Sequence, residues 1–315
     1  KMIVMFHHVF DDSDRMTNIY KPRYYCSREK LIFITKKYLR MGKKFVTYRD
    51  YSKIVQNDFK ARDKLICYTF DDATIDHFKL VAPTLNDLHV TASFYSITKI
   101  IELQNSVALP IHQYQIASSL VKDEKIFSKN LIKRIELKFG AKKIDSWTKK
   151  FSGWAGLDDS NILLSKRILE IELSELQSHQ FIGSVLNSTD VRLKKKFYEL
   201  SNNFYCNKHE LKEMCNVGFE IGSHSHSHEW LGQLSADEAW NNLSQSIDIL
   251  RHIDVVDKEW TVCYPHGNWN IDLLKKLKMS NDCVGGIVMD KVTSLTDLKY
   301  LTEPRIDISI LNGAM

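Results

Sequence analysis

A chain of 315 residues with 43% hydrophobic and 26% charged content has an ordinary globular make-up, long enough for one large domain or two small ones. No stretch nears the roughly 18 consecutive apolar residues of a membrane span, and the opening KMIVMFHHVF carries no export signal, so a cytoplasmic protein without a transmembrane segment is expected. The net charge of +5 is too mild for a nucleic-acid footprint, and no aromatic-interleaved basic motif supplies one.

Taken in chain order, the first hundred residues alternate strand and helix patterns. MIVMF reads as a strand, SREKLIFITKKYLRMG as a helix closing on Gly42, and KKFVTY as a strand. RDYSKIVQND is helical, KLICYTF is a continuous apolar strand, HFKLVAPTLNDL is a helix and VTASFYS a strand. Such alternation predicts a mainly parallel sheet covered by helices.

The rhythm changes after this point. QYQIASSLVKDEKIFSKNLIKRIELKFG, NILLSKRILEIELSELQSH and DVRLKKKFYELSNN keep helical periodicity, with Gly153, Gly156 and Asp158-Asp159 breaking the first from the second. Residues 104–203 are therefore read as a helical insertion between two parts of an α/β domain, 1–103 and 204–315. Residues 106–205 hold 16 Lys+Arg against 11 Asp+Glu, so the whole charge excess sits in this segment. The β-α order resumes with KHELKEMCNVG, FEIGS, SADEAWNNLSQSIDILRHI, TVCYP, IDLLKKLKMS, CVGGIVM and YLTEPRIDISI.

Chemistry concentrates at two strand ends. KLICYTF delivers Asp71 and Asp72 to the C-terminal edge of a strand, where parallel α/β folds build their sites. One carboxylate can ligate a cation while the other stays free as a base; the plain alternative is a helix cap. FEIGS runs into His224-Ser225-His226-Ser227-His228, three imidazoles within five residues. On a helix His224 and His228 share a face and His226 points away; on an extended segment His224 and His226 share one. A turn entering a helix favours the 224/228 pair. A carboxylate with two imidazoles leaves an open metal position, as catalytic zinc sites do. The six cysteines form no CxxC pair, which argues for reduced thiols and against a thiolate site, with Cys67 and Cys263 as core residues.

These residues resemble a known family. YTFDDA is similar to the first motif of the polysaccharide deacetylases (carbohydrate esterase family 4, NodB homology), usually written TFDDG, and GFEIGSHSHSH to the second. CYPHGNWN resembles the YPYG form of the third motif, EPRIDI the closing segment of that branch, and FHHV its YHHI opening. The resemblance covers approximately 2–103 and 204–310.

It implies a distorted (β/α)7 barrel carrying the inserted α-helical subdomain. It further implies a metal-dependent hydrolase that removes an N-acetyl group from an amino sugar in surface-polysaccharide biosynthesis, by metal-activated water. By position Asp71 is the implied catalytic base, and Asp72, His224 and His228 the ligands of one divalent metal ion, zinc foremost. His266 lends a backbone N–H to the oxyanion, and His7 lies beside the base. Three departures matter. Ala73 replaces the usual glycine; the arginine ahead of the third motif is missing, with Arg305 a substitute; and no histidine follows His266, leaving the late acid without a counterpart. His266, His7 and a protonated Asp71 remain candidates for the acid. A non-catalytic carbohydrate-binding relative and a sugar O-deacetylase are the alternative functions. The acetamido sugar is expected free, nucleotide-linked or lipid-linked, and the insertion is expected to cap the barrel mouth or to form a homo-oligomer contact.

Overall fold

A computed structural model describes residues 2–11, 13, 26–102, 108–152, 159–289 and 297–310. The chain divides into two compact units. One comprises Lys1–Thr17, Arg23–Gln104 and Tyr205–Met315; the other comprises Asn18–Pro22 and Asn105–Phe204.

The first unit opens with β1 (Ile3–Phe6), β2 (Val9–Phe10) and β3 (Cys26–Ser27), followed by α1 (Arg28–Arg40), where Ser27 accepts the Lys30 N–H as an N-cap. Next come β4 (Lys44–Phe45), α2 (Tyr48–Asn57) capped by Thr47, and β5 (Leu65–Phe70). The helix expected over HFKLVAPTLNDL starts as a π turn, His77–Val81, and only then becomes α3 (Ala82–Asp87). Pro83 has no N–H to give the preceding turn, so the ladder loosens there. β6 (Ser93–Ser96) and the short α4 (Lys99–Glu102) follow.

The second unit holds six α-helices among its described residues, α5 (Pro110–Val121), α6 (Glu124–Phe139), α7 (Ala141–Phe151), α8 (Ser160–Arg167), α9 (Glu175–Thr189) and α10 (Val191–Asn202), with a π turn, Ile168–Glu172, following α8. The first long periodic run is thus two helices. Lys122 takes a left-handed φ of 61° and Asp123 caps the new start by accepting the Ile126 N–H. Gly153, Gly156 and Asp158, read as helix breakers, lie outside the described residues, while Asp159 caps α8. Ile116, Phe127, Leu131, Ile135, Ile182, Leu186 and Phe197 are buried, giving this unit an apolar core of its own.

The chain returns to the first unit through α11 (Lys208–Asn216), β7 (Glu220–Ser223), α12 (Ala236–His252), β8 (Trp260–Cys263), α13 (Ile271–Ser280), β9 (Cys283–Val288), β10 (Glu303–Pro304) and β11 (Ile306–Asp307). Capping boxes at Asn207/Glu210 and Ser235/Glu238 start α11 and α12. The strands pair in parallel in the order β10-β9-β8-β7-β6-β5-β1-β11, with β4 beside β5. The result is a nearly closed parallel barrel with helices around it.

Its seam is a single segment. Glu303-Pro304 pairs with β9 and Ile306-Asp307 with β1, so the two sheet edges meet on either side of Arg305, whose N–H bonds Val288 O at 3.0 Å. Period-two alternation sorts the strand residues. Ile3, Leu65 and Cys67 gather with Tyr95, Cys263 and Ile287 in one cluster, while Val4, Phe6, Ile66, Tyr68 and Phe70 pack with helix residues in another. Among the described residues no helix is long and apolar enough to cross a membrane.

Candidate active site

Asp71 follows Leu65, Cys67 and Thr69 on the inner parity of β5, so its side chain continues the barrel's inward-facing row. Arg305 meets it there with two parallel bonds, Nη1 to Oδ1 at 2.6 Å and Nη2 to Oδ2 at 2.8 Å, and Nη1 also donates to Thr69 Oγ1 at 3.3 Å. Burial pushes the Asp71 carboxyl up, but the Arg305 guanidinium, helped by His224 and His7, outweighs it and holds the group down to about 2. Asp71 is thus an ionised carboxylate fixed in orientation.

In an extended strand the next residue would point to the opposite face. Left-handed backbone at Asp72 (φ 74°) and Ala73 (φ 49°) turns the chain instead, and both residues are buried. Ala73 therefore occupies a glycine-type conformation with a Cβ, which accounts for the tension in the sequence at this position.

Asp72 Oδ1 lies 3.4 Å from His224 Nε2 and 3.5 Å from His228 Nε2. The helix expected to carry the histidine pair is absent: residues 224–230 form a loop, and Ser225 (φ 64°) and His228 (φ 60°) are left-handed. Serine hydroxyls stabilise this shape, with Ser223 Oγ accepting the Ser225 N–H and Ser225 Oγ the His228 N–H. His226 points elsewhere: its Nδ1 is 3.1 Å from Thr98 Oγ1 and its Nε2 3.9 Å from the Glu102 carboxylate.

The donor set suits a cation. His224 Nδ1 donates to Cys263 O at 2.7 Å, which fixes the tautomer and turns the Nε2 lone pair toward Asp72. One carboxylate oxygen and two imidazole nitrogens converge, all within 4.8 Å of one another. Ligands at zinc bond lengths of about 2.0–2.1 Å in a tetrahedron stand about 3.3–3.4 Å apart, close to the separations from Asp72. Asp71, His224 and Cys263 also lie within 4.8 Å of one another, but burial drives the Cys263 thiol well up, so it is a neutral donor to Asp71 Oδ1 at 3.4 Å.

His7 Nε2 lies 4.0 Å from Asp71 Oδ2, with its side chain about one-third exposed (36%). Its neighbour His8 is buried and has a structural partner: Nδ1 sits 3.1 Å from Asp76 Oδ1, and Asp76 Oδ2 accepts the Val9 N–H at 2.8 Å. His77 bonds the His7 carbonyl and Thr74 Oγ1. His266 is left-handed (φ 58°), stacks on Trp230 at 4.2 Å and 9°, and meets the His228 ring edge-on at 4.6 Å.

All seven candidate residues lie in the first unit, in two linked groups: Asp71, Arg305 and His7, then Asp72, His224, His228 and His266. Sequence reasoning missed Asp76, His77, Trp230 and Asn242, and gave Cys263 a core role alone. The DxxxD spacing of Asp72 and Asp76 was the one signal available for Asp76.

The polysaccharide deacetylase family model matches residues 180–281, a segment containing His224, His228 and His266. No curated protein matches the chain. Among solved structures it is similar to the Streptococcus pyogenes deacetylase PplD in complex with acetate, at 16% identity over 97% of this chain and 90% of that one, TM-score 0.58. A de-N-acetylase from Aggregatibacter actinomycetemcomitans gives 13% identity, 100% and 99% coverage and TM-score 0.57. IcaB from Ammonifex degensii gives 14%, 98%, 91% and 0.51. At these identities the structural likeness speaks for the fold, which is the deacetylase (β/α) barrel. With the family match it bears out the resemblance to the NodB-homology family, the matched segment holding the second and third motifs.

Proposed function

We propose that this polysaccharide deacetylase relative is a metal-dependent hydrolase that removes the acetyl group from an acetamido sugar. The observation that carries the reading is one ionised carboxylate, Asp71 clamped by Arg305, beside three convergent ligand atoms from Asp72, His224 and His228. The family match supports deacetylation, and one structural neighbour is a de-N-acetylase while another was solved with acetate, the acyl product of such a reaction.

Asp72, His224 and His228 would hold the cation, with zinc favoured by the one-carboxylate, two-imidazole set. When bound, it supplies Lewis acidity toward water and the acetamide carbonyl. Asp71 accepts the proton of the attacking water. Arg305 keeps that carboxylate ionised and aimed, at some cost in basicity. The His266 backbone N–H is the oxyanion donor. The amine departs only with a proton, and we assign that donation to His7, whose Nε2 lies 4.0 Å from Asp71 and whose side chain is about one-third exposed (36%). The positive excess of residues 106–205 supports a phosphate-bearing carrier, nucleotide or lipid, on the sugar.

The test measures acetate and free amine released from N-acetylhexosamine substrates, with matched O-acetylated sugars in parallel and zinc supplied. Acetate with stoichiometric amine supports the reading. Acetate from the O-acetyl sugars alone makes the protein an O-deacetylase. Sugar binding without acetate from either makes it a non-catalytic relative.

A further inference from the structure

The central imidazole of the pentad, His226, lies outside the converging ligand atoms yet commits three polar groups to neighbouring elements. Its backbone N–H donates to Asn242 Oδ1 on α12 at 2.7 Å and its backbone carbonyl accepts the Lys99 N–H at 2.9 Å, while the imidazole itself contributes one bond. Its Nδ1 meets Thr98 Oγ1 at 3.1 Å. The bonds on either side extend the same grip. Thr98 N–H donates to Ser225 O at 3.3 Å, and Asn242 Nδ2 donates to Ser227 Oγ at 2.7 Å and to the Glu229 carboxylate at 2.8 Å.

A loop with no helix or strand, bent through left-handed Ser225 and His228, has two serine bonds of its own, at Ser223 and Ser225, and otherwise depends on this outside grip to hold that shape. We propose that His226 is a positioning residue: with Thr98 and Asn242 it sets residues 224–228 so that the Nε2 atoms of His224 and His228 converge on Asp72 before a cation binds. The inference rests on reading those three residues as the ligands. Without the clasp, the ordering of the loop is charged to metal binding and the affinity falls. The energetics are those of supporting partners around a metal centre, whose loss costs about 10–100-fold in affinity.

The experiment is a zinc titration of the full chain against a chromophoric chelator, with thermal unfolding of each metal-free variant. His226→Ala and Thr98→Val should each weaken zinc binding, the former by about 10–100-fold, at unchanged stoichiometry and with the metal-free unfolding midpoint near wild type. His226→Asn, whose amide reaches the position of Nδ1, should recover most of the affinity. His224→Ala is the control and should abolish tight binding.

Four results overturn the proposal. If His226→Ala binds zinc like wild type while His224→Ala does not, His226 does not position the loop. If His226→Ala and His226→Asn both lose zinc as completely as His224→Ala, His226 is itself a ligand. If the His226→Ala metal-free midpoint collapses and Thr98→Val leaves affinity unchanged, the residue serves the fold alone. If His224→Ala leaves affinity unchanged, the ligand reading fails instead, and the clasp with it.

Discussion

Arg305 grips Asp71 from the seam of the barrel, with Nη1 and Nη2 at 2.6 and 2.8 Å from the two carboxylate oxygens. The segment that bridges the sheet's two edges therefore also supplies the counter-charge of the proposed base. Closing the barrel and charging the site are one structural event.

That pairing makes Arg305 a stability residue first. Arg305→Met leaves the buried Asp71 carboxylate without its partner and should destabilise the protein by about 3–5 kcal/mol. Urea unfolding measures it. The double variant with Asp71→Asn should recover part of the loss, because neither charge is then left alone. Strict additivity of the two single effects would sink this account.

Asp71→Asn keeps the shape and removes the base. Acetate release should fall by roughly 10²-fold or more, while zinc content, measured on the same folded sample, stays at the wild-type level. Near-normal turnover would remove Asp71 from the mechanism, and loss of zinc would make it a ligand.

Acid should strip stability through Asp76. Burial pushes its carboxyl up, but His8, His77 and the Val9 N–H outweigh burial and hold it near 2, against an ordinary value of 3.8. A carboxyl lowered in the folded state stabilises it above the unfolded value and loses that contribution as pH falls through the folded one. The group's share, about 2 kcal/mol, should be intact above pH 4 and fade between about 4 and 2. Urea unfolding across that range should show Asp76→Asn trailing wild type above pH 4 and the gap closing below. A gap that stays constant with pH would refute the assignment.

Ala73→Gly should stabilise the protein. The left-handed conformation at φ 49° penalises a Cβ by about 1–2 kcal/mol, and glycine returns some of that in unfolded-state entropy, leaving a gain of up to about 1 kcal/mol. Calorimetry reads it as a higher midpoint. A lower midpoint would mean the Ala73 methyl, buried at 1% exposure, contributes more by packing than its strain costs.

Much of the barrel was legible because its signals are local. KLICYTF and FEIGS are short apolar runs at the right spacing, and the Asp71-Asp72 and His224/His228 patterns sit where they end. The helix proposed for the histidine pair was the wrong device for the right convergence. The i, i+4 spacing suggests a helix, but left-handed turns at Ser225 and His228 accomplish the same meeting, and nothing in the serines announces φ above zero. The partner of Asp71 was only half readable. Arg305 stood out as a substitute for an arginine missing elsewhere, but its bidentate grip depends on a contact 234 residues away. Asn242 was invisible, and Asp76 marked only by its spacing from Asp72, for the same reason: their partners are fixed by tertiary packing, not by neighbours in sequence.

The pairing of β6 with β7, Ser93–Ser96 against Glu220–Ser223, spans Asn105–Phe204 of the second unit. On the ribosome this gives the protein a waiting period. At about 5–20 residues per second, the 123 intervening residues take about 6–25 s to emerge, and throughout that interval the β6 edge has no strand to pair with. Arg305 follows Asp71 by 234 residues, so any nascent barrel carries Asp71 as an unmatched inward charge until that segment has emerged.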